Sequence, residues 1–179
     1  MDDIAKELSM SKKTIYSCFE NKTELVRSVT ESIYNIVIRG IDSICQKQLN
    51  PIEELYEIKK FVSLQLNDEK SSPQFQLQKY YPEIFEQIQG NNFELIHNIT
   101  IKNLERGIAL GLYRENVNIE FVARIYFIGM TGIKDDTVFP ITVFPKIRLI
   151  ESYLDYHLRG IVTKKGLALL KKYTDQNTL

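Results

Sequence analysis

The hydrophobic positions of this chain recur at intervals of three and four over long stretches, the period of an α-helix with one apolar stripe. Leu25, Val29, Ile33, Ile36, Gly40 and Ile44 form one such row, widened by Val26, Val37 and Ile41. Ahead of it, Asn21-Lys22-Thr23-Glu24 has the spacing of a capping box, so the pattern predicts one long helix over 22–48. Asn50-Pro51-Ile52-Glu53 repeats the start signal with proline at the first helical position, where its missing N–H costs nothing. Leu55, Ile58, Val62 and Leu66 then mark a second helix, which gives out at Asn67-Asp68-Glu69-Lys70-Ser71.

Ser72-Pro73 and Tyr81-Pro82 predict two short helices over 73–89, bent at Pro82 and stopped by Gly90. Asn92 is placed to cap the next helix, with Phe93, His97, Ile101, Leu104 and Ile108 on one face and Gly111 at its end. Asn118 starts a helix over 119–132 that is apolar nearly all round: Phe121, Ile125 and Ile128 on one side, Val122, Tyr126 and Gly129 on the next. Such a helix needs cover on both flanks. Residues 133–146, with Phe139-Pro140 and Phe144-Pro145, predict a loop. A helix over 146–159 ends at Gly160, and Thr163 opens a last one carrying Leu167, Leu170 and Tyr173. With 8 Gly, 5 Pro and neither Asn-Gly nor Asp-Gly, strands have almost no claim, and the fold class is all-α.

Composition narrows the function without naming it. At 44% hydrophobic and 26% charged residues the chain matches ordinary globular proteins, and its 179 residues suit one compact domain or one large and one small packed unit. No apolar run is long enough for a membrane span, and Met-Asp-Asp is no secretion signal, so the expected location is cytoplasmic. Cys18 and Cys45 form no CxxC, which leaves neither a disulfide framework nor a zinc site. His97 and His157 are the only histidines, and GxSxG, a phosphate-cradling glycine loop and HExxH are all missing. No catalytic residue, metal or cofactor is therefore expected; Asp135-Asp136 reads as loop solvation. Lys+Arg 23 against Asp+Glu 23 gives zero net charge, so a case for nucleic acid has to come from local patterning.

Residues 4–25 supply that patterning. Two short helices meet across a turn at Ser9-Met10; the first offers Ile4, Ala5 and Leu8 inward, and the second, capped by Ser11, offers Ile15 and Phe19. Neither buries enough surface alone, so they must pack as a helix-turn-helix. Lys12, Lys13, Thr14 and Ser17 then lie on the outer face of the second helix, where short polar and cationic side chains reach base edges and phosphates.

Ile4-Ala5, the turn, Ser11, Thr14-Ile15-Tyr16, Phe19, Lys22 and Leu25 together resemble the tetracycline-repressor (TetR) family of bacterial regulators. A weaker likeness lies in Arg106-Gly107, Gly111-Leu112-Tyr113-Arg114 and Glu120-Phe121-Val122-Ala123-Arg124. The resemblance implies DNA contacts from Ser11, Lys12, Lys13, Thr14, Tyr16, Ser17 and Lys22, with Tyr16 and Lys22 on the phosphate backbone. Three departures stand out: Ser9 replaces the family's usual turn glycine, Cys18 replaces a phosphate-touching His or Tyr, and the family's first helix and arm would precede Ile4. The helix-turn-helix is accordingly expected to be incomplete at its N-terminus.

By the same resemblance, residues 1–46 form the DNA-binding region with its linking helix, and 47–179 an effector-binding and dimerisation domain. Phe121, Ile125, Ile128, Ile150, Tyr153, Leu154 and Tyr156 would face a second copy in a four-helix bundle. Tyr80, Tyr81, Phe85, Phe93, His97 and Tyr126 would line a pocket for a small apolar or aromatic ligand. The expected function is a repressor that releases operator DNA on binding that ligand. The alternative is a dimeric helical sensor or interaction module without autonomous DNA binding.

Overall fold

The computed structural model describes residues 1–66 and 73–176. They form nine α-helices: α1 Asp2–Glu7, α2 Lys12–Cys18, α3 Lys22–Cys45, α4 Pro51–Leu66, α5 Pro73–Tyr80, α6 Pro82–Ala109, α7 Ile119–Gly132, α8 Lys146–Ile161 and α9 Lys164–Gln176. The described residues contain no strand, only an isolated bridge between Tyr113 and Val162. The start signals read from the sequence are made as hydrogen bonds. Asn21 Oδ1 accepts from the Glu24 amide at 2.9 Å, Asn50 Oδ1 from Glu53 at 3.0 Å, and Asn118 Oδ1 from Phe121 at 3.0 Å. The stop expected at 67–71 lies outside the described residues.

Gly90 does not stop a helix and Asn92 does not cap one, because α6 runs unbroken for 28 residues past both. A glycine in a helix interior costs about 1 kcal/mol. Tertiary bonds on either side of Gly90 hold the segment helical: Arg27 on α3 donates to Gln87 Oε1 at 2.9 Å, and the Tyr34 hydroxyl to the Asn91 carbonyl at 2.9 Å. Ile84, Thr100, Leu104 and Gly107 are buried along the same helix. Gly160 likewise fails to end α8, which continues to Ile161, itself 5% exposed in the core.

The main core joins Ile52, Leu55 and Tyr56 of α4 to Leu104 of α6, Ala123 of α7, Leu154, Leu158 and Ile161 of α8, and Leu170 of α9. Leu112 and Tyr113, from the turn after α6, complete it. Within this body α4 packs against α6, α8 and α9, and α3 leans on α4 as it runs out to the short helices α1 and α2. The N-terminal pair is thus joined to the body by one continuous 24-residue helix.

Candidate nucleic-acid interface

α1 and α2 have six and seven residues, and only Ala5 and Ile15 are fully buried in them, with Phe19 half-buried. Ile4 and Leu8 do not point inward as the sequence suggested; they are 38% and 57% exposed. A helix of fewer than two turns meets its partner through one side chain, and here that is Ala5. The turn is made at Ser9, whose φ of 51° is left-handed. The Ser9 amide donates to the Lys6 carbonyl at 3.1 Å and the Met10 amide to Ala5 at 2.9 Å, closing α1 as a left-handed residue closes a helix.

Ser11 opens α2: its Oγ accepts from the Thr14 amide at 3.0 Å and lies 2.8 Å from the Thr14 hydroxyl. The Ser17 hydroxyl donates back to the Thr14 carbonyl at 2.7 Å. Lys13, Thr14, Tyr16 and Ser17 are all exposed, and so is Lys22 at the first position of α3. Lys12 is exposed too, but its ammonium is paired with Asp2 on α1. That hydrogen-bonded carboxylate raises the Lys12 pKa, and the lysine lowers that of Asp2. The seven predicted residues therefore lie on one short span, with one cation already partnered within the chain.

The six residues predicted to line a pocket are dispersed. Tyr80 at the end of α5 is 61% exposed. Phe93 and His97 meet on α6 with ring centroids 5.3 Å apart, and Phe93 also packs edge-on against Phe127 at 5.1 Å. His97 Nε2 sits 2.9 Å from Glu120 Oε2 on α7, whose other oxygen takes Arg124. Arg124 first and His97 second hold the Glu120 carboxyl below its ordinary range. Tyr126 turns to α8, 4.7 Å from the His157 ring and 5.9 Å from Tyr153. Tyr81 and Phe85 are half-buried at the start of α6.

Among the residues predicted to meet a second copy, Phe121, Ile125, Ile128 and Tyr156 are exposed, Tyr156 at 76%. Phe121, Ile125 and Tyr156 line an open groove of about 380 Å³ between α7 and α8 with His157 in its wall. Ile150 is half-buried. Tyr153 is engaged within the chain, its hydroxyl donating to the carbonyls of Ile125 at 3.0 Å and Tyr126 at 3.2 Å. Leu154 is a correction: at 1% exposure it belongs to the core and offers no surface to a partner. One position along α8 turns a side chain by about 100°, which separates buried Leu154 from its neighbours.

Sequence reasoning missed a buried polar cluster around Glu54, which is 2% exposed. Its carboxylate accepts from Asn103 Nδ2 at 2.8 Å and Arg106 at 2.7 Å, and Asn103 Oδ1 accepts from the Tyr113 hydroxyl at 3.0 Å. Its members lie up to 59 positions apart, and no local spacing announces them. Among the described residues no group of His, Cys, Asp and Glu could hold a metal ion, and no helix is long and apolar enough to cross a membrane.

The described residues thus form an all-helical body that carries a short helix-turn-helix on a long connecting helix. Residues 1–29 match the family model of "Bacterial regulatory proteins, tetR family". The regulatory protein TetR of Rhodobacter sphaeroides has the same fold at 18% identity, with a TM-score of 0.69 over 90% of this chain and 87% of that one. SmeT, the repressor of the Stenotrophomonas maltophilia multidrug efflux pump SmeDEF, superposes at 0.70 with 19% identity, over 90% and 79%. KstR2, a ketosteroid transcriptional regulator of Mycobacterium tuberculosis, superposes at 0.56 with 20% identity, over 90% and 84%. Comparison with curated proteins gives no match.

Proposed function

We propose that the chain is a cytoplasmic, ligand-responsive repressor that binds double-stranded operator DNA as a homodimer. The observation that carries this reading is the exposed polar face of α2, Lys13, Thr14, Tyr16 and Ser17, set directly after the left-handed turn at Ser9. Two copies of α2 enter successive major grooves of a pseudo-palindrome, with centres roughly 34 Å apart or a multiple of it. Thr14 and Ser17 read base edges, while Lys13, Tyr16 and Lys22 hold phosphates. Ser11 fixes the start of the helix, and Lys12 exchanges Asp2 for a phosphate when DNA arrives.

Residues 1–46 act as the DNA-binding region and 47–179 as the body that senses and dimerises, with α3 crossing the join. The exposed row Phe121, Ile125, Ile128 and Tyr156 supports pairing of α7 and α8 with their symmetry mates. A small apolar or aromatic effector is supported by the Phe93–Phe127 cluster beside His97, and by neighbours described as a ketosteroid regulator and an efflux-pump repressor. Its binding biases the spacing of the two recognition helices and lowers operator affinity.

Fluorescence anisotropy of the chain against DNA from its own promoter region, at two salt concentrations, tests the reading. Saturable, salt-dependent, sequence-selective binding supports it. Dimerisation with no DNA binding would favour the alternative, a helical sensor or interaction module.

A further inference from the structure

Ile15 is the one fully buried residue of α2, so it fixes which side of that helix faces away from the chain. Each residue turns a helix by about 100°, which places Ser17 about 200° round from Ile15, within about 20° of the point directly opposite. Thr14 and Tyr16 stand on the flanks, about 100° to either side. Ser17 is exposed, and it shares the outward direction with Lys13 one turn earlier. A helix laid in a major groove puts that line nearest the base edges.

The hydrogen-bond polarity of Ser17 is set before any base is met. A serine hydroxyl has one proton to give and two lone pairs to offer. The Ser17 proton goes to the Thr14 carbonyl at 2.7 Å, and a carbonyl can only accept. What remains outward is an acceptor. The Cys18 thiol lies 4.0 Å from Ser17 Oγ, and a weak S–H bond there would still leave one lone pair open. Entry into a groove displaces the water that could replace the bond to Thr14, which favours keeping it.

Its neighbours do not share this property. Lys13 has three donors and no acceptor, so it takes no hydrogen bond from a base. The Thr14 hydroxyl lies 2.8 Å from Ser11 Oγ, and either oxygen can be the donor of that pair. Thr14 is therefore free to present a donor or an acceptor. Of these three residues, only Ser17 is restricted to accepting.

We propose that Ser17 selects the operator base by accepting a hydrogen bond from an exocyclic amino group, N6 of adenine or N4 of cytosine. Those amino groups are the donors that base pairs present in the major groove. Guanine offers O6 and N7 there and thymine O4, all acceptors, so either would set lone pairs against the lone pairs of Ser17. Discrimination of about tenfold at one base position in each half-site follows. This inference rests on α2 being the DNA-reading helix, and it adds to that reading the chemical class of base that the helix takes.

The test is selection of duplexes from a randomised library by the full chain and by Ser17→Ala, followed by anisotropy titrations of the best parent duplex. We expect the parent to select adenine or cytosine at one position per half-site where Ser17→Ala is indifferent. At that position adenine is then replaced by purine, or cytosine by pyrimidinone, which deletes the amino group. Both proteins feel the weakened base pair, but only the parent feels the lost donor, so its loss of affinity should exceed that of Ser17→Ala by about tenfold. Ser17→Thr, whose hydroxyl can make the same bond to the helix backbone, should behave as the parent does. Selection of guanine or thymine at the position that depends on Ser17, identical selection by parent and Ser17→Ala, or equal losses on deleting the amino group overturns the proposal and leaves DNA binding by α2 standing. Absence of saturable binding to any duplex in the library overturns both.

Discussion

Arg106 grips Glu54 and the end of the preceding segment at once. Its guanidinium donates to Glu54 Oε2 at 2.7 Å and also to the Leu49 carbonyl. Glu54 is buried on α4, Leu49 sits in the turn between α3 and α4, and Arg106 stands near the end of α6. Asn103 adds a bond to the Pro51 carbonyl at 2.9 Å. The elbow between the connecting helix and the body is therefore held by side chains from a single helix. Arg106→Met should destabilise the fold by roughly 3 kcal/mol, because it leaves a buried carboxylate with only Asn103 as partner. Arg106→Met with Glu54→Met should recover much of that loss. Chemical denaturation of the two variants checks this, and a double variant worse than the single would refute the account.

Ser9 carries a conformation that a side chain disfavours. At φ 51° a non-glycine residue costs about 1–2 kcal/mol, while glycine costs about 0.5–1 kcal/mol more entropy than a residue with a side chain. The difference predicts that Ser9→Gly stabilises the chain by about 0.5 kcal/mol. A small rise in melting temperature is the expected result; a fall would show that the serine side chain contributes something its backbone does not reveal.

Start signals other than Asn92 were legible in the sequence, and interior stops were not. Asn21, Asn50, Asn118 and Thr163 begin helices because capping is a local transaction between a side chain and an amide three residues on. Gly90 and Gly160 failed as stops because contacts from distant residues overrode their local preference. The positions of Ser11, Thr14 and Ser17 on α2 could be read for the same local reason. Leu154 could not be assigned correctly, since a helix with apolar residues on two faces does not declare which one meets its own core.

The ion pair between Lys12 and Asp2 makes a specific forecast for DNA binding. If Lys12 must leave Asp2 to reach a phosphate, Asp2→Asn should tighten binding to all sequences alike, the opposite of what loss of a contact would do. Lys22→Ala should weaken all sequences and flatten the salt slope by about 0.9. Thr14→Ala or Ser17→Ala should instead change the ranking among operator variants. Anisotropy titrations over a salt series separate these outcomes, and an Asp2→Asn protein that binds more weakly would sink the exchange.

His157 makes the fold sensitive to acid. Its ring is 8% exposed, lies against Tyr126 and Tyr153, and is pushed down by burial from 6.5 to about 4. In the unfolded chain the imidazole takes up its proton near pH 6.5; in the folded chain it resists until about pH 4. Between those values the unfolded state binds more protons, so stability is full above the unfolded value and declines as the pH falls through this window. The decline levels off below the folded value, after a loss of about 3 kcal/mol from this group alone. Carboxylates add their own slope in the lower part of the window, but that slope is shared by a variant that changes only this ring. His157→Phe, which keeps an aromatic body between the two tyrosines, should therefore lose less stability than the parent between pH 6.5 and pH 4. Urea midpoints measured across that interval decide it, and parallel curves for the two proteins would mean that His157 is protonated as readily in the fold as out of it.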